Sequence, residues 1–169
     1  LSIRPDLKIE GLRGNMDTRL KKLDENKWDG MITAAAAMHR LGWAHKISEY
    51  LDPAIFVPAA GQGALGLEIC SGKEDAVKIV KTIIDHNATS CCSSERLFSS
   101  KIEGGCSAPV GCWARIEEDQ FVITGYCSAL DGSQSLYHTE RGHMENAADI
   151  ALNLCEEMIK KGGKDLVAQ

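Results

Sequence analysis

The sequence predicts two consecutive architectures, an open α/β arrangement in the first half and a small α+β module in the second. Two observations support this prediction. Up to about residue 85, short apolar runs alternate with helical patterns, which is the rhythm of an α/β fold. Beyond that point, one helical segment is followed by three strand-like segments and an amphipathic helix, an order typical of an α+β module.

The elements of the first half follow from hydrophobic periodicity. Alternating or continuous apolar residues predict strands at 6–12, 31–37 and 67–69. Apolar residues at helical spacing predict helices at 18–25, 38–50 and 75–86. The uncharged run 31–37 is typical of a strand buried within a parallel sheet.

The elements of the second half are predicted in the same way. A helix is expected at 87–101, capped at Asn87, with Ala88, Leu97 and Phe98 facing inward. Strands are expected at 110–116, 121–130 and 135–141, and a final helix at 146–161. The boundary between the two halves is placed near residue 86.

Composition excludes several classes of function. The net charge is −5, so no general basic field exists to hold nucleic acid or an anionic membrane. No apolar run approaches the ~20 residues that span a bilayer. The five histidines lack metal-binding spacing, so no metal site is expected.

The first motif is the glycine series at 61–66, which fits the dinucleotide-binding pattern G-x-G-x-x-G. That pattern requires a helix to begin inside it, whereas residues 65–69 are predicted as a strand. We therefore expect a bend between two domains, where glycine permits a positive φ and close approach of a ligand.

The second motif is Cys106, which lies between Gly105 and Pro109 on a predicted constrained loop. Such a loop gives a thiolate nucleophile the access it needs, but a structural cysteine in a tight turn fits the residues as well. The seven cysteines are odd in number and lack C-x-x-C spacing, which argues against disulfides and a zinc site. The other six are expected to be small buried apolar residues.

Three arginines form the third candidate group: Arg13, Arg19 and Arg40. A guanidinium group can hold a carboxylate through two parallel hydrogen bonds. In open α/β sheets, ligands bind beyond the carboxyl ends of the strands, where Arg13 would lie. The alternative is that each is a solvated arginine paired with a nearby Glu or Asp.

Taken in order, six motifs resemble the porphobilinogen deaminase family across essentially the whole chain. They are Leu12-Arg13-Gly14-Asn15, Thr18-Arg19-Leu20, His39-Arg40-Leu41-Gly42, Gly61-Gln62-Gly63-Ala64, Glu103-Gly104-Gly105-Cys106 and Asp131-Gly132-Ser133. The resemblance implies a transferase of tetrapyrrole biosynthesis, which condenses four porphobilinogen molecules into hydroxymethylbilane and releases ammonia. The product grows on a dipyrromethane cofactor bound through a thioether to the cysteine matching Cys106.

The resemblance also implies a three-domain enzyme whose first two domains resemble periplasmic binding proteins. Residues 1–58 would be the second half of domain 2, and 59–85 a hinge with a strand and helix returning to domain 1. Residues 86–169 would be domain 3, a small α+β domain with the cysteine loop. Since Leu1 rather than Met begins the sequence, we interpret the chain as a fragment that lacks domain 1.

The family's functional residues carry over position by position. Arg13, Arg19 and Arg40 match arginines that bind substrate carboxylates, and Arg13 and Arg19 also serve the cofactor. Ala34, Gln62 and Gly63 match positions that line the cofactor. The family's catalytic aspartate lies in domain 1, so no catalytic residue is expected here and the chain alone should be inactive. The parent enzyme is expected to be a cytoplasmic monomer.

Two other functions fit the residues. A noncatalytic module could use Arg13 and Arg19 to bind a carboxylate ligand, and Cys106 would then remain a free thiol. A thiol-dependent hydrolase could use Cys106 as nucleophile, which requires a histidine within hydrogen-bonding distance of the sulfur.

Overall fold

The computed structural model describes residues 1, 3–102 and 108–168. The chain divides into two compact units, one formed by Arg4–Leu51 and the other by Leu1–Ile3 with Asp52–Gln169. The helices of the described residues are α1 (Met16–Glu25), α2 (Ala35–Arg40), α3 (Glu74–Lys81), α4 (His86–Lys101), α5 (Ala147–Lys160) and α6 (Gly163–Val167). The strands are β1 (Val110–Glu117), β2 (Gln120–Ser128) and β3 (Ser135–His143).

The larger unit contains an antiparallel sheet in the order β1-β2-β3. Successive side chains of a strand point to opposite faces, so Phe121, Ile123 and Cys127 of β2 share one face, and all three are completely buried. Helices α4 and α5 pack against the sheet. The three predicted strands and both predicted helices of this region are confirmed, with shifts of one or two residues at their ends.

The core between the sheet and the helices is built from large apolar side chains. Phe98 and Ile102 of α4, together with Leu154 and Met158 of α5, are completely buried within it. The ring of Phe98 lies so close to Gly125 that a β-carbon there would come within 2.6 Å of it. Glycine at this position of β2 therefore allows α4 to approach the sheet.

Helix α4 differs from the prediction in which of its residues are buried and in where it begins. Ala88 is exposed, and Leu97 is only half-buried, while Phe98 is buried as expected. The helix begins one residue earlier than predicted because the Asp85 carboxylate, not Asn87, caps it by accepting the N–H of Ala88 at 2.9 Å. The helix predicted at 75–86 is shorter than expected, because α3 ends at Lys81, where the hydroxyl of Thr82 donates a hydrogen bond to the carbonyl of Ile79 at 2.7 Å.

The smaller unit contains helices and no strand. The predictions of strands at 6–12 and 31–37 are therefore wrong for this structure, and the predicted strand at 67–69 is likewise absent from the larger unit. A strand needs a neighbouring strand to receive its backbone hydrogen bonds, and residues 4–51, all of them described, provide none. The alanines at 35–37 instead join a helix, the structure that alanine favours most.

The helix predicted at 38–50 is also shorter than expected. Helix α2 ends at Arg40, and Gly42 follows with a φ of 71°, a left-handed conformation that stops the helix. A short 3-10 helix, Ala44–Lys46, comes next. Within this unit, the side chain of Met38 is the buried centre.

Candidate cofactor-binding site

The first part of the site is the turn that precedes α1. Asn15 caps the helix, because its Oδ1 accepts hydrogen bonds from the backbone N–H of Thr18 at 2.9 Å and from its hydroxyl at 2.7 Å. Gly14 has a φ of 129°, and a β-carbon there would come within 2.9 Å of the Thr18 methyl group. Only glycine fits this turn without strain.

This turn fixes the backbone around two of the predicted arginines. The Nε of Arg19 donates a hydrogen bond to the carbonyl oxygen of Gly14 at 2.7 Å, and the Nζ of Lys22 donates one to the carbonyl of Arg13 at 3.1 Å. The side chain of Arg19 and the backbone of Arg13 therefore belong to one local structure. Arg13 is exposed, while Arg19 is half-buried.

The guanidinium groups of the three candidate arginines have no acidic partner among the described residues. Elsewhere in the chain such pairs do form: Arg4 binds Asp6 at 2.7 Å and Arg115 binds Glu117 at 2.5 Å. Arg13, Arg19 and Arg40 take part in no described salt bridge. The described residues therefore give these three arginines no carboxylate partner, although Arg13 and Arg40 are exposed to solvent, as the alternative expects.

Ala34 and Arg40 lie at the two ends of α2. Ala34 is the N-cap residue and is half-buried, and Arg40 is the exposed last residue of the helix. The hydroxyl of Thr33 donates a hydrogen bond to the sulfur of Met16 at 3.5 Å, which connects the start of α2 to the start of α1. The arginines and Ala34 thus belong to one unit.

Gln62 and Gly63 lie in the other unit, within a backbone turn. The N–H of Gln62 donates to Ala59 at 3.0 Å, and the N–H of Ala64 donates to Gly61 at 3.2 Å. Gly61 and Gly63 both have positive φ values, and both Gln62 and Gly63 are exposed. No helix begins within this series, since α3 starts at Glu74. The dinucleotide-binding pattern requires a helix to begin inside it, and this series does not meet that requirement.

A buried carboxylate that the sequence analysis missed holds this turn. Glu95 of α4 is only 7% exposed, and its Oε2 accepts the N–H of Gly61 at 2.7 Å. Its Oε1 accepts the N–H of Ala114 of β1 at 2.8 Å. Burial raises the pKa of this carboxyl, although both backbone hydrogen bonds oppose the rise. Helical spacing from Cys91 through Glu95 to Phe98 and Ile102 could have indicated an acidic residue on the inward face.

Cys106 lies outside the described residues, but the elements on either side of it are firmly held. Ile102, which ends α4, is completely buried. On the other side, the carbonyl of Pro109 accepts the N–H of Ser128 at 3.1 Å, next to the start of β1. In the sequence, Cys106 therefore lies between α4 and β1, and both of these elements belong to the larger unit.

The other six cysteines are free thiols. Cys112, Cys127 and Cys155 are buried as predicted, but the prediction is wrong for Cys70, which is exposed, and only partly right for the half-buried Cys91 and Cys92. Cys70 lies in the open segment before α3, where no core forms around it. Burial raises the pKa of Cys127 to about 11.

The described residues contain no cluster of three or more metal-ligating side chains. Likewise, none of their helices is both long enough and apolar enough to cross a membrane.

Comparison with known proteins identifies the family. Residues 1–78 match the family model described as porphobilinogen deaminase, dipyromethane cofactor binding domain. Residues 89–160 match the model described as porphobilinogen deaminase, C-terminal domain. This chain belongs to the porphobilinogen deaminase family. The resemblance seen in the motifs is thereby confirmed, and the first match includes every candidate arginine together with Ala34, Gln62 and Gly63.

Individual relatives agree with this assignment. A porphobilinogen deaminase of Roseiflexus castenholzii is 38% identical over 167 residues, which are 99% of this chain and 55% of the relative. The porphobilinogen deaminase of Ruthia magnifica is 37% identical over 166 residues, which are 55% of its length. That of Bacillus cereus is 38% identical over 169 residues, which are 54% of its length. This chain therefore spans about half the length of the family members that it matches.

Proposed function

We propose that this chain is the C-terminal portion of a porphobilinogen deaminase, which condenses four porphobilinogen molecules into hydroxymethylbilane and releases ammonia. The observation that carries the proposal is the match of two family domains in consecutive order along almost the entire chain. Cys106 lies within the second match, and we assign to it the thioether bond to dipyrromethane. When bound, this group supplies the primer on which the product grows.

The chemistry of the three candidate arginines supports this assignment. Each pyrrole ring of the substrate carries an acetate and a propionate, so the enzyme must bind many carboxylates. Arg13, Arg19 and Arg40 have no described acidic partner, and guanidinium groups match carboxylates in both charge and geometry. In this proposal they bind and orient the acidic side chains, while Ala34, Gln62 and Gly63 line the cofactor.

The domain organisation is part of the same proposal. Residues 1–58 would form the second half of a periplasmic-binding-protein-like domain 2, 59–85 would return to domain 1, and 86–169 would form domain 3. Three alternating apolar side chains, Leu65, Leu67 and Ile69, support the middle assignment. They are 77%, 62% and 38% exposed, as expected for a strand whose sheet is formed by residues outside this chain.

We further propose that residues 1–169 alone do not turn over porphobilinogen. In the family the catalytic aspartate belongs to domain 1, and no aspartate of this chain matches it. The arginines described here would bind and position the substrate, but they supply no group to stabilise the positive pyrrole nitrogens. Turnover of porphobilinogen by the purified chain would contradict this part of the proposal.

The decisive experiment is intact-protein mass spectrometry of the full-length protein, followed by peptide mapping. We expect a mass increase of one dipyrromethane on the peptide that contains Cys106, and none in the Cys106→Ser variant. A Cys112→Ser variant serves as the matched control and should retain the adduct, because the Cys112 thiol is buried. An unmodified, readily alkylated Cys106 would overturn the proposal and favour a carboxylate-binding module or a hydrolase.

A further inference from the structure

Glu95 connects three segments of the larger unit through a single carboxylate. It projects from α4 and accepts one backbone N–H from Gly61 at 2.7 Å and another from Ala114 at 2.8 Å. These segments are far apart in sequence, since Gly61 precedes Glu95 by 34 residues and Ala114 follows it by 19. Each oxygen of the carboxylate is used by a different segment.

All three segments adjoin positions assigned to the cofactor. Helix α4 leads into the residues around Cys106, and β1, which contains Ala114, follows them. Gly61 opens the turn that contains Gln62 and Gly63. Glu95 therefore joins the elements on both sides of the proposed attachment cysteine to the turn proposed to line the cofactor.

Keeping the carboxyl group of Glu95 ionised at this buried position costs free energy. The side chain is buried, and among the described residues no Lys, Arg or His forms a salt bridge with it. Burial raises its pKa, which means that desolvation outweighs the two hydrogen bonds that favour the charged form. Burying a charge without an ion-pair partner costs free energy, so an ionised Glu95 gains no stabilising charge pair at this position.

From this geometry we propose that Glu95 is a positioning residue, which fixes the turn at Gln62 and Gly63 relative to α4 and β1, the two elements that flank Cys106 in the sequence. The inference deepens the proposed function and rests on it. A carboxylate suits the task because both of its oxygens accept hydrogen bonds. A glutamine has one accepting oxygen, so its NH2 group would face one of the two backbone N–H groups.

The first test measures the turn itself and does not depend on the enzymatic function. In the wild-type chain, amide hydrogen exchange at Gly61 should be on the order of ten- to hundredfold slower than at Gly63, which donates no described hydrogen bond. In Glu95→Gln, exchange at Gly61 or Ala114 should accelerate by a similar factor. Glu156→Gln, which changes an exposed glutamate on α5, is the matched control and should change neither.

The second test measures positioning in the full-length protein. Glu95→Gln should lower kcat for porphobilinogen on the order of tenfold or more, with a smaller change in KM, because misplaced reacting groups slow the reaction more than they weaken binding. The Glu156→Gln variant should retain wild-type kinetics. Circular dichroism must show an unchanged fold in both variants.

The possible outcomes distinguish failure of the hydrogen-bonded connection, of the positioning role and of the proposed function. Exchange at Gly61 as fast as at Gly63 in the wild type would overturn the hydrogen-bonded connection, whether or not Glu95→Gln folds. Faster exchange in Glu95→Gln with unchanged kcat would overturn the positioning role. Full-length wild-type protein without dipyrromethane on Cys106 would overturn the proposed function, even if the exchange results agreed with the structure.

Discussion

Two regions of the molecule differ strongly in how many side chains they bury: the region from His86 to the end of α6, and the unit Arg4–Leu51. The first encloses a core in which Phe98, Phe121 and Leu154 are completely buried. In the second, all of whose residues are described, Met38 is the only buried residue. Both regions contain apolar residues at regular spacing, but only the first supplies partners for its own strands.

The difference shows what each kind of element requires. A helix satisfies its backbone hydrogen bonds locally, so α1 forms with its Asn15 cap although it buries none of its side chains completely. A strand depends on its neighbours, and the apolar residues Ile9 and Ile32 of the predicted strands remain 68% and 64% exposed. Four predictions test this comparison.

The largest expected effect comes from removing the centre of the ordered core. Phe98→Ala should lower the free energy of unfolding by about 3–5 kcal/mol, because it leaves a cavity between α4 and the sheet. Met38→Ala should cost clearly less, since its unit has little core to lose. Urea denaturation followed by circular dichroism measures both. Equal losses in the two variants would contradict the contrast between the regions.

Thiol reactivity should distinguish the packed core that follows His86 from the open segment before α3. Cys127 is buried in the sheet and its pKa is raised to about 11, so about one molecule in a thousand carries its thiolate at pH 8. The exposed Cys70 should react with iodoacetamide on the order of a hundredfold faster. Peptide mapping over a time course gives both rates, and comparable labelling in native protein would refute the described burial.

Close backbone packing gives the third prediction. A β-carbon at Gly111 of β1 would come within 2.6 Å of the carbonyl oxygen of Val57, so Gly111→Ala should destabilise the larger unit by about 1–3 kcal/mol. Gly30 is the matched control, because a β-carbon there meets no atom within 4 Å. Thermal unfolding should show a lower Tm for Gly111→Ala only; a similar loss in Gly30→Ala would argue against the contact.

The smallest expected effect is a pH dependence due to Glu95. Burial raises its pKa above the ordinary 4.5, so the folded protein holds this proton more tightly than the unfolded chain does. Its stabilising contribution is complete below pH 4.5 and is lost as pH rises through the raised pKa. The stability of the wild type relative to Glu95→Gln should therefore decline from pH 4 towards 7, as measured by urea denaturation. A difference that increases with pH would show that the pKa is lowered instead.

The second half of the chain could be predicted from its sequence because its determinants are local. The apolar residues of 121–127 define β2, and the apolar stripe from Ala147 to Met158 defines α5. Both elements find their packing partners within the 84 residues that follow Asp85. In the first half, the run at 31–37 looks like a strand only if a sheet is available. Where no sheet is available, the preference of alanine for the helix determines the structure.

The candidate site was predicted in part. The sequence pointed to Arg13, Arg19 and Arg40 through their chemistry and the family motifs, but their lack of described acidic partners could be seen only in three dimensions. Glu95 was missed because its partners are backbone N–H groups of Gly61 and Ala114. Helical spacing could have placed Glu95 on the inward face of α4, but backbone groups look alike in every sequence, so its two hydrogen-bond partners could not have been identified.

The contacts of β1 with the preceding segment also determine which shortened forms of the protein keep the edge of the sheet covered. β1 is an outer strand of the sheet. Two N–H groups on its free edge donate hydrogen bonds: that of Cys112 to the carbonyl of Pro58 at 2.8 Å, and that of Ala114 to the carboxylate of Glu95. A shorter protein beginning at His86 would uncover the first of these groups. Unpaired strand edges recruit strands from other molecules, so this shortened form should self-associate, whereas one beginning at Asp52 retains its own protection.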